Sequence, residues 1–182
     1  AYVEYRQAVG ESHARVERLT ASMREQLAHW RMRPVVEALM TLRGINLVAA
    51  MTLVAELGDL RRFAHPRELM SFLGLVHSEH TSGERRRQGA ITRTGNGHAR
   101  RMLVEAAWNY RFTARISRAL QIRQEGQPRE IQDLAWRAQR RLCGRYRALK
   151  ARRLHQNKVC VAVARELAGF IWAIARRVEL DT

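Results

Sequence analysis

Apolar residues recur at helical spacing along almost all of the 182 residues, and strand-like alternation is nearly absent. This periodicity predicts an all-α fold. It is most regular at the start, where Tyr2, Val9, Val16, Met23 and Trp30 lie seven residues apart. About four heptads predict either a coiled coil or one amphipathic helix that lies on the rest of the domain. We therefore divide the chain into a helical segment, 1–33, and a compact multi-helix domain, 34–182.

A sharp corner is predicted between two helices near the start of this domain. One helix follows Pro34 and the next runs from Ile45 to Leu57, with Gly44 between them. The break from Leu42 to Asn46 resembles a helix-hairpin-helix, in which backbone N–H groups hold a DNA phosphate. Gly44 and Asn46 are thus candidate nucleic-acid contacts. The alternative is an ordinary helix–turn–helix corner stabilised by Gly44.

The remaining helices are separated by polar segments. The predicted helices are Pro66 to Gly74, His98 to Arg118, Ile131 to Tyr146 and Val159 to Val178, with a polar linker from Gln121 to Arg129. Residues 77–97 are rich in Gly, Thr, Ser and Arg, so they predict a loop or a short irregular hairpin. Loops on rigid scaffolds often carry function, and this Gly/Arg-rich loop is the candidate catalytic segment.

Charge is the strongest compositional signal. The chain has 33 Lys and Arg against 17 Asp and Glu, a formal charge of +16. Such a surplus favours a polyanionic partner, although a GC-rich genome would also enrich Arg. Clustering favours nucleic acid, and the basic stretch around Arg140, Arg141 and Arg145 supplies candidate backbone contacts. Trp136 and Tyr146 in that stretch could stack on bases, but core positions are the preferred interpretation.

Other classes of protein and site are disfavoured. Cys143 and Cys160 are too few and too far from paired His residues for a zinc site, and they imply no disulfide framework. No apolar run has the length of a membrane span and no signal peptide opens the chain, so a cytoplasmic location is expected. The chain begins at Ala1 inside a helical pattern without an initiator Met, which is typical of a fragment.

The Gly/Arg-rich segment could carry out chemistry on a phosphodiester. Ser82 precedes Gly83 and could present an exposed hydroxyl, while Arg85, Arg86 and Arg87 could hold a phosphate. Small residues before the next helix could anchor another phosphate at its N-terminus. The further nucleic-acid candidates in this region are Arg93, Thr94, Asn96, His98, Arg100 and Arg101. From local physics alone, a basic loop that only grips the DNA backbone is the stronger alternative.

Several short blocks in order resemble the C-terminal transposase domain of the IS-one-ten insertion-sequence family, which includes DNA invertases of the Piv type. The blocks are Arg61 and Phe63, Pro66-Arg67, Phe72-Leu73-Gly74-Leu75, Ser82-Gly83, Arg87, Gly89, Ile91-Thr92, Gly95-Asn96, Arg100-Arg101, Leu103 and Glu105-Ala106-Ala107. The resemblance covers about Val35 to Tyr110 and continues more faintly to Ala173. His77 and Thr81 depart from the residues usual in the family.

The resemblance implies a serine recombinase in which Ser82 is the nucleophile for DNA transposition. Family members pair this domain, through a coiled coil, with an N-terminal RuvC-like domain whose acidic quartet binds metal. They use a bridge RNA to choose double-stranded donor and target DNA. The scattered acids of this chain do not reproduce the quartet, so Mg²⁺ is expected in the N-terminal domain and no cofactor in this fragment.

We therefore expect a DNA-binding and guide-RNA-binding recombinase fragment that forms a homodimer or tetramer and is inactive without its N-terminal domain. Two alternatives remain open. The chain could be a non-catalytic nucleic-acid-binding module of a larger complex, in which Ser82 only contacts phosphate. It could also be a structural dimerisation domain whose charge reflects genome composition.

Overall fold

A computed structural model describes residues 1–82 and 85–180, with only the backbone described for residues 79–82 and 85–88. The helices are α1 (Tyr2–His29), α2 (Arg33–Leu39), α3 (Leu47–Leu57), α4 (Pro66–Phe72), α5 (Gly97–Ala107), α6 (Arg118–Gln124), α7 (Arg129–Ala151) and α8 (Gln156–Ala175). Two strands, β1 (His77–Ser82) and β2 (Arg85–Ile91), lie between α4 and α5. The predicted all-α class, with a long first helix and a compact helical domain, is confirmed.

The last helix, α8, is the centre of the core. Its buried face includes Val163, Leu167 and Ile171, and it packs against α2, α4, α5 and α7. Trp172 near its end donates an indole N–H to the Phe63 carbonyl at 2.8 Å, which holds the α3–α4 connection against the helix. No helix in the described part of the chain is long and apolar enough to cross a membrane.

Helix α1 projects from this domain over most of its length. Every residue from Tyr2 to Leu19 is exposed, and only the last turns, including the buried Leu27, pack against α2 and α3. An amphipathic helix lying along the domain is therefore wrong for residues 2–19. Val9 and Val16 of the heptad stripe keep 52% and 60% of their surface exposed. Pairing with another helix remains a prediction.

The segment predicted as a loop or short irregular hairpin is an antiparallel hairpin. Its Cα register pairs Ser82 with Arg85 and Thr81 with Arg86, and it is irregular between His77 and Glu79. The Ser78 hydroxyl donates to the Ala90 carbonyl at 3.1 Å within this irregular part. The hairpin was one of the two predicted alternatives, and the polar residues that dominate both strands left the choice open.

Several predicted boundaries are wrong, and α7 continues to Ala151 rather than ending at Tyr146. The helix expected from His98 to Arg118 ends at Ala107 and continues only as a 3₁₀ turn, Trp108–Arg111. The linker was expected to begin at Gln121, but α6 continues to Gln124, so the connection to α7 is shorter than predicted. Side chains from distant elements satisfy the extended backbone between these helices: Arg43 donates to the Thr113 carbonyl at 2.9 Å, and Gln139 donates to the Arg115 carbonyl. Tertiary hydrogen bonds thus replace those of a continuous helix.

Candidate nucleic-acid interface

A backbone clamp joins the base of the hairpin to the end of α4. Arg93 N donates to the Gly74 carbonyl at 3.2 Å, and Asn96 N donates to the Phe72 carbonyl at 3.1 Å. Gly74 and Gly95 have φ values of +62° and +76°. A Cβ atom at Gly95 would lie 2.0 Å from the Phe72 oxygen, so only glycine fits this crossing.

Arg100 completes the clamp from the first turn of α5. Its Nη1 donates to the Leu73 carbonyl at 2.8 Å and to the Thr94 carbonyl at 3.1 Å. The side chain is half-buried. Arg100, proposed from the sequence as a nucleic-acid contact, therefore has a structural role that its residue type did not reveal.

Asn96 and His98 meet a carboxylate from α3. Asn96 Oδ1 accepts from Ala99 N and caps α5, while its Nδ2 donates to Glu56 Oε2 at 2.7 Å. His98 Nδ1 lies 2.8 Å from Glu56 Oε1. The Asn96 hydrogen bond, followed by that of His98, holds the pKa of the Glu56 carboxyl below its usual value. This pair of contacts fixes the orientation of both side chains at the N-terminus of α5.

A groove of about 940 Å³ lies between the hairpin base, α5 and the start of α8. Arg93, exposed and with a φ of +56°, lies at its rim together with Arg101 and Lys158. Arg101 also forms an exposed ion pair with Glu105 at 2.8 Å, an interaction of small energetic value in water. The Thr94 hydroxyl donates to Thr92 and is exposed. Arg93 and Arg101 thus line the same groove, and their contact with nucleic acid remains a prediction.

The Gly44 corner lies at the other end of α5. Gly44 has a φ of +84°, and a Cβ atom there would lie 2.6 Å from the Ala106 carbonyl oxygen. Asn46 caps α3 by accepting from Ala49 N at 2.9 Å. Because α5 rises about 1.5 Å per residue, this corner and the Asn96 end lie roughly 15 Å apart along the helix. The two groups of candidate residues therefore do not form one site.

The basic stretch lies on α7, and its three proposed arginines differ. Arg141 Nε and Arg145 Nε lie 2.9 and 3.0 Å from the two carboxylate oxygens of Glu166 on α8. Arg140 is exposed and, among the described residues, has no carboxylate partner. Arg137 and Arg147 share both properties and follow the same helix face. We call Arg137, Arg140 and Arg147 the α7 ridge. Tyr146 is buried and Trp136 half-buried, as the core interpretation expected.

The proposed nucleophile lies at the far end of the hairpin from the clamp. The backbone register places Ser82 opposite Arg85, in the last described pair. The side chains of Ser82, Arg85, Arg86 and Arg87 lie outside the described residues. Their proposed roles consequently rest on the sequence and on this register.

Two acidic residues of these surfaces were missed by sequence reasoning. Glu56 is 40 residues from Asn96, and Glu166 is 25 residues from Arg141. No local motif links such positions, so only the packing of α3 on α5 and of α7 on α8 reveals them. Among the described residues, no cluster of three or more His, Cys, Asp or Glu side chains could hold a metal ion.

Comparison with known proteins identifies the compact domain. The model of the IS116/IS110/IS902 transposase family matches residues 36–121, from α2 into α6. The transposase y4qE of Sinorhizobium fredii is 48% identical over 158 residues, which cover 87% of this chain and 40% of that protein. A family 20 transposase of Pseudomonas aeruginosa is 28% identical over 90% of this chain and 41% of its own length.

A third relative is the transposase for insertion sequence element IS1111A of Coxiella burnetii, 31% identical over 75% of this chain and 31% of its own length. The helical core, the hairpin and the matched segment thus define a transposase domain. Residues 36–121 are thus a domain of the IS116/IS110/IS902 family, as the sequence blocks predicted. The chain spans about 40% of the length of the first two relatives.

Proposed function

We propose that this chain is the DNA-handling part of a serine-type transposase, with Ser82 as the nucleophile for strand exchange. The observation that carries the proposal is the position of Ser82 within the family-matched segment, at the end of β1 and opposite a strand that begins with three arginines. An arginine cluster beside a hydroxyl suits attack on a phosphodiester, because the guanidinium groups stabilise negative charge on the transferring phosphoryl group.

The proposed step exchanges one phosphate ester for another. The Ser82 hydroxyl loses its proton, its oxygen forms a bond to phosphorus, and the bond from phosphorus to the departing sugar oxygen breaks. The departing oxygen takes up a proton. The covalent phosphoserine link conserves the ester, so attack by a second DNA hydroxyl restores the DNA backbone and releases serine.

Other parts of the proposed enzyme lie outside this chain's described residues. The acids among the described residues form no metal-binding cluster, and our proposal assigns Mg²⁺ to an N-terminal RuvC-like domain. Donor and target DNA, and a guide RNA, are the proposed polyanionic partners of a surface with a formal charge of +16. We expect this chain alone to bind nucleic acid without completing strand exchange.

Charge reversal of the α7 ridge tests nucleic-acid binding. Arg137→Glu, Arg140→Glu and Arg147→Glu together are expected to weaken binding to all DNA sequences alike, because phosphate contacts carry no base information. The slope of log affinity against log salt should fall by roughly 0.9 for each duplex phosphate contact removed. Titration of labelled duplexes at several salt concentrations measures both effects.

The matched control reverses three exposed arginines of α1: Arg6, Arg15 and Arg18. It changes the net charge equally but should alter binding far less. Equal losses in the two triple variants would assign the effect to net charge rather than to the ridge. Loss of discrimination between sequences, with general affinity retained, would show base contacts instead.

We propose that residues 1–33 form a coiled coil with a second copy of the chain. Val16 and Leu19 on α1 are 60% and 57% exposed, which leaves an apolar seam without cover from the described domain. Val16→Asp with Leu19→Asp should abolish self-association while the compact domain keeps its thermal unfolding. Sedimentation equilibrium measures the change, with Arg15→Asp and Arg18→Asp as the surface control. A strictly monomeric unmodified chain at high concentration would overturn the coiled coil.

A further inference from the structure

A second groove, of about 930 Å³, opens beside the Gly44 corner, where α5 gives way to extended backbone. We call it the Phe112 groove and define it by Arg43, Asn46, Asn109, Phe112, Arg115 and Arg123. Its volume is within the ~300–1,000 Å³ of pockets that hold compact organic ligands, which is sufficient for a nucleotide.

The charge of the Phe112 groove is positive and not neutralised by its own wall. Arg43, Arg115 and Arg123 line it, and no carboxylate does. Arg43 and Arg123 donate to the carbonyl oxygens of Thr113 and Ile45, so protein dipoles hold them in place without cancelling their charge. In contrast, Glu166 forms ion pairs with both Arg141 and Arg145 on α7. The groove therefore suits an anion.

A buried tyrosine beside two of these arginines does not offset their charge. Tyr110 is fully buried near the Arg43 and Arg123 side chains, and its hydroxyl has no hydrogen-bond partner. Burial raises the pKa of Tyr110 well above its usual value. The phenol thus stays neutral and does not offset the guanidinium groups.

Phe112 lines the same groove, and a second exposed ring, Trp108, lies near the same Arg111 side chain. Phe112 is 52% exposed and Trp108 is 37% exposed, although large aromatic side chains usually contribute to a core. The Arg111 guanidinium carbon lies 4.2 Å from the centre of the Phe112 ring and 5.7 Å from that of Trp108. Exposed rings interleaved with arginines form a stacking platform for bases.

We propose that the Phe112 groove binds unpaired nucleotides of a single strand, with a base stacked at Phe112 and a phosphate held by Arg115. The inference rests on the proposed nucleic-acid function but assigns a separate site and a different form of ligand. Duplex DNA hides its base faces in the helical stack, so it can meet the arginines but not the ring. The groove consequently distinguishes unpaired strands from duplex, which the α7 ridge does not.

The test compares the affinity of the 182-residue chain for labelled oligo-dT, oligo-U and a mixed-sequence duplex of equal length. Phe112→Leu is expected to lower single-strand affinity about 10-fold, because base–aromatic stacking carries on the order of 1–3 kcal/mol. Duplex affinity should change less than about 2-fold, and Phe112→Tyr should retain single-strand binding. The inference would be overturned if Phe112→Leu bound each ligand as tightly as the unmodified chain does. An equal loss for both ligands would also overturn it.

Arg115→Gln tests the phosphate contact. It should reduce the single-strand salt slope by roughly 0.7, whereas Arg18→Gln on α1, an equally exposed and equally charged control, should leave the slope unchanged. If Phe112→Leu lowered the affinity for oligo-U alone, the bound strand would be RNA. If it lowered the affinity for oligo-dT alone, the strand would be DNA. An unmodified chain that binds duplex without any effect at Phe112 refutes only the groove. A chain that binds neither ligand refutes the proposed function as well.

Discussion

A full-length enzyme that carries Ser82→Ala is expected to lose strand exchange while its affinity for nucleic acid remains nearly unchanged. Removing the hydroxyl removes the proposed nucleophile, and neighbouring arginines cannot form the covalent link. Removing a nucleophile typically lowers a rate by on the order of 10⁴-fold or more. Recombination between donor and target plasmids measures the loss, and a binding titration of the same variant measures affinity.

Ser78→Ala is the matched control for this variant. The Ser78 hydroxyl donates to the Ala90 carbonyl and packs against Gly89 inside the hairpin, so we assign it a structural role. Its loss should cost about 0.5–1.5 kcal/mol of stability and leave strand exchange active. Retained strand exchange in Ser82→Ala would overturn the serine assignment. The nucleophile would then be another hydroxyl of the hairpin, such as Thr81, or would lie outside this chain, which would then be a non-catalytic nucleic-acid-binding module.

A second variant addresses the intermediate itself. Ser82→Cys keeps a nucleophilic atom at the same position, so it tests whether a phosphorus link forms at residue 82. In the unmodified enzyme, digestion of a stalled reaction should leave a nucleotide attached to the peptide that contains Ser82. Attachment to the peptide at Thr81 instead would move the nucleophile by one residue.

Most of the fold could be predicted because its helices bury one continuous face. Apolar spacing located α7 and α8, and glycines located two helix ends. Gly58 directly follows α3, Gly74 comes two residues after the last residue of α4, and both have a positive φ. These are local properties, since a helix period and a left-handed terminus depend on neighbouring residues. The order of helices therefore followed from the sequence.

The contacts at the candidate interfaces could not be predicted in the same way. Helical spacing continues through Tyr110, but Arg43, 70 residues earlier, binds the Thr113 carbonyl and helps to hold an extended backbone there. Phe112 is exposed in this extended segment, next to the Thr113 carbonyl that Arg43 holds. Likewise, the sequence cannot show whether an arginine such as Arg100 binds a phosphate or, as here, donates to the Leu73 carbonyl.

Gly95 of the hairpin clamp should be among the most sensitive backbone positions in the domain. Gly95→Ala is expected to destabilise the chain by roughly 3–5 kcal/mol, which combines left-handed strain with overpacking. The strain arises from a φ of +76°, and the overpacking arises because the new Cβ would lie 2.0 Å from the Phe72 carbonyl oxygen. Urea unfolding followed by circular dichroism measures the shift of the midpoint.

Two further glycines separate these causes. Gly126 has a φ of +78° with nothing within 4 Å of a new Cβ, so Gly126→Ala should cost only the strain, about 1–2 kcal/mol. Gly144 lies inside α7 with open space around it, so Gly144→Ala should stabilise the chain by about 0.5–1 kcal/mol through its helix propensity. The expected order of midpoints is Gly144→Ala above the unmodified chain, then Gly126→Ala, then Gly95→Ala. Equal losses at Gly95 and Gly126 would show that the hairpin base does not close on Phe72, and the proposed position of Ser82 relative to the helical domain would fail with it.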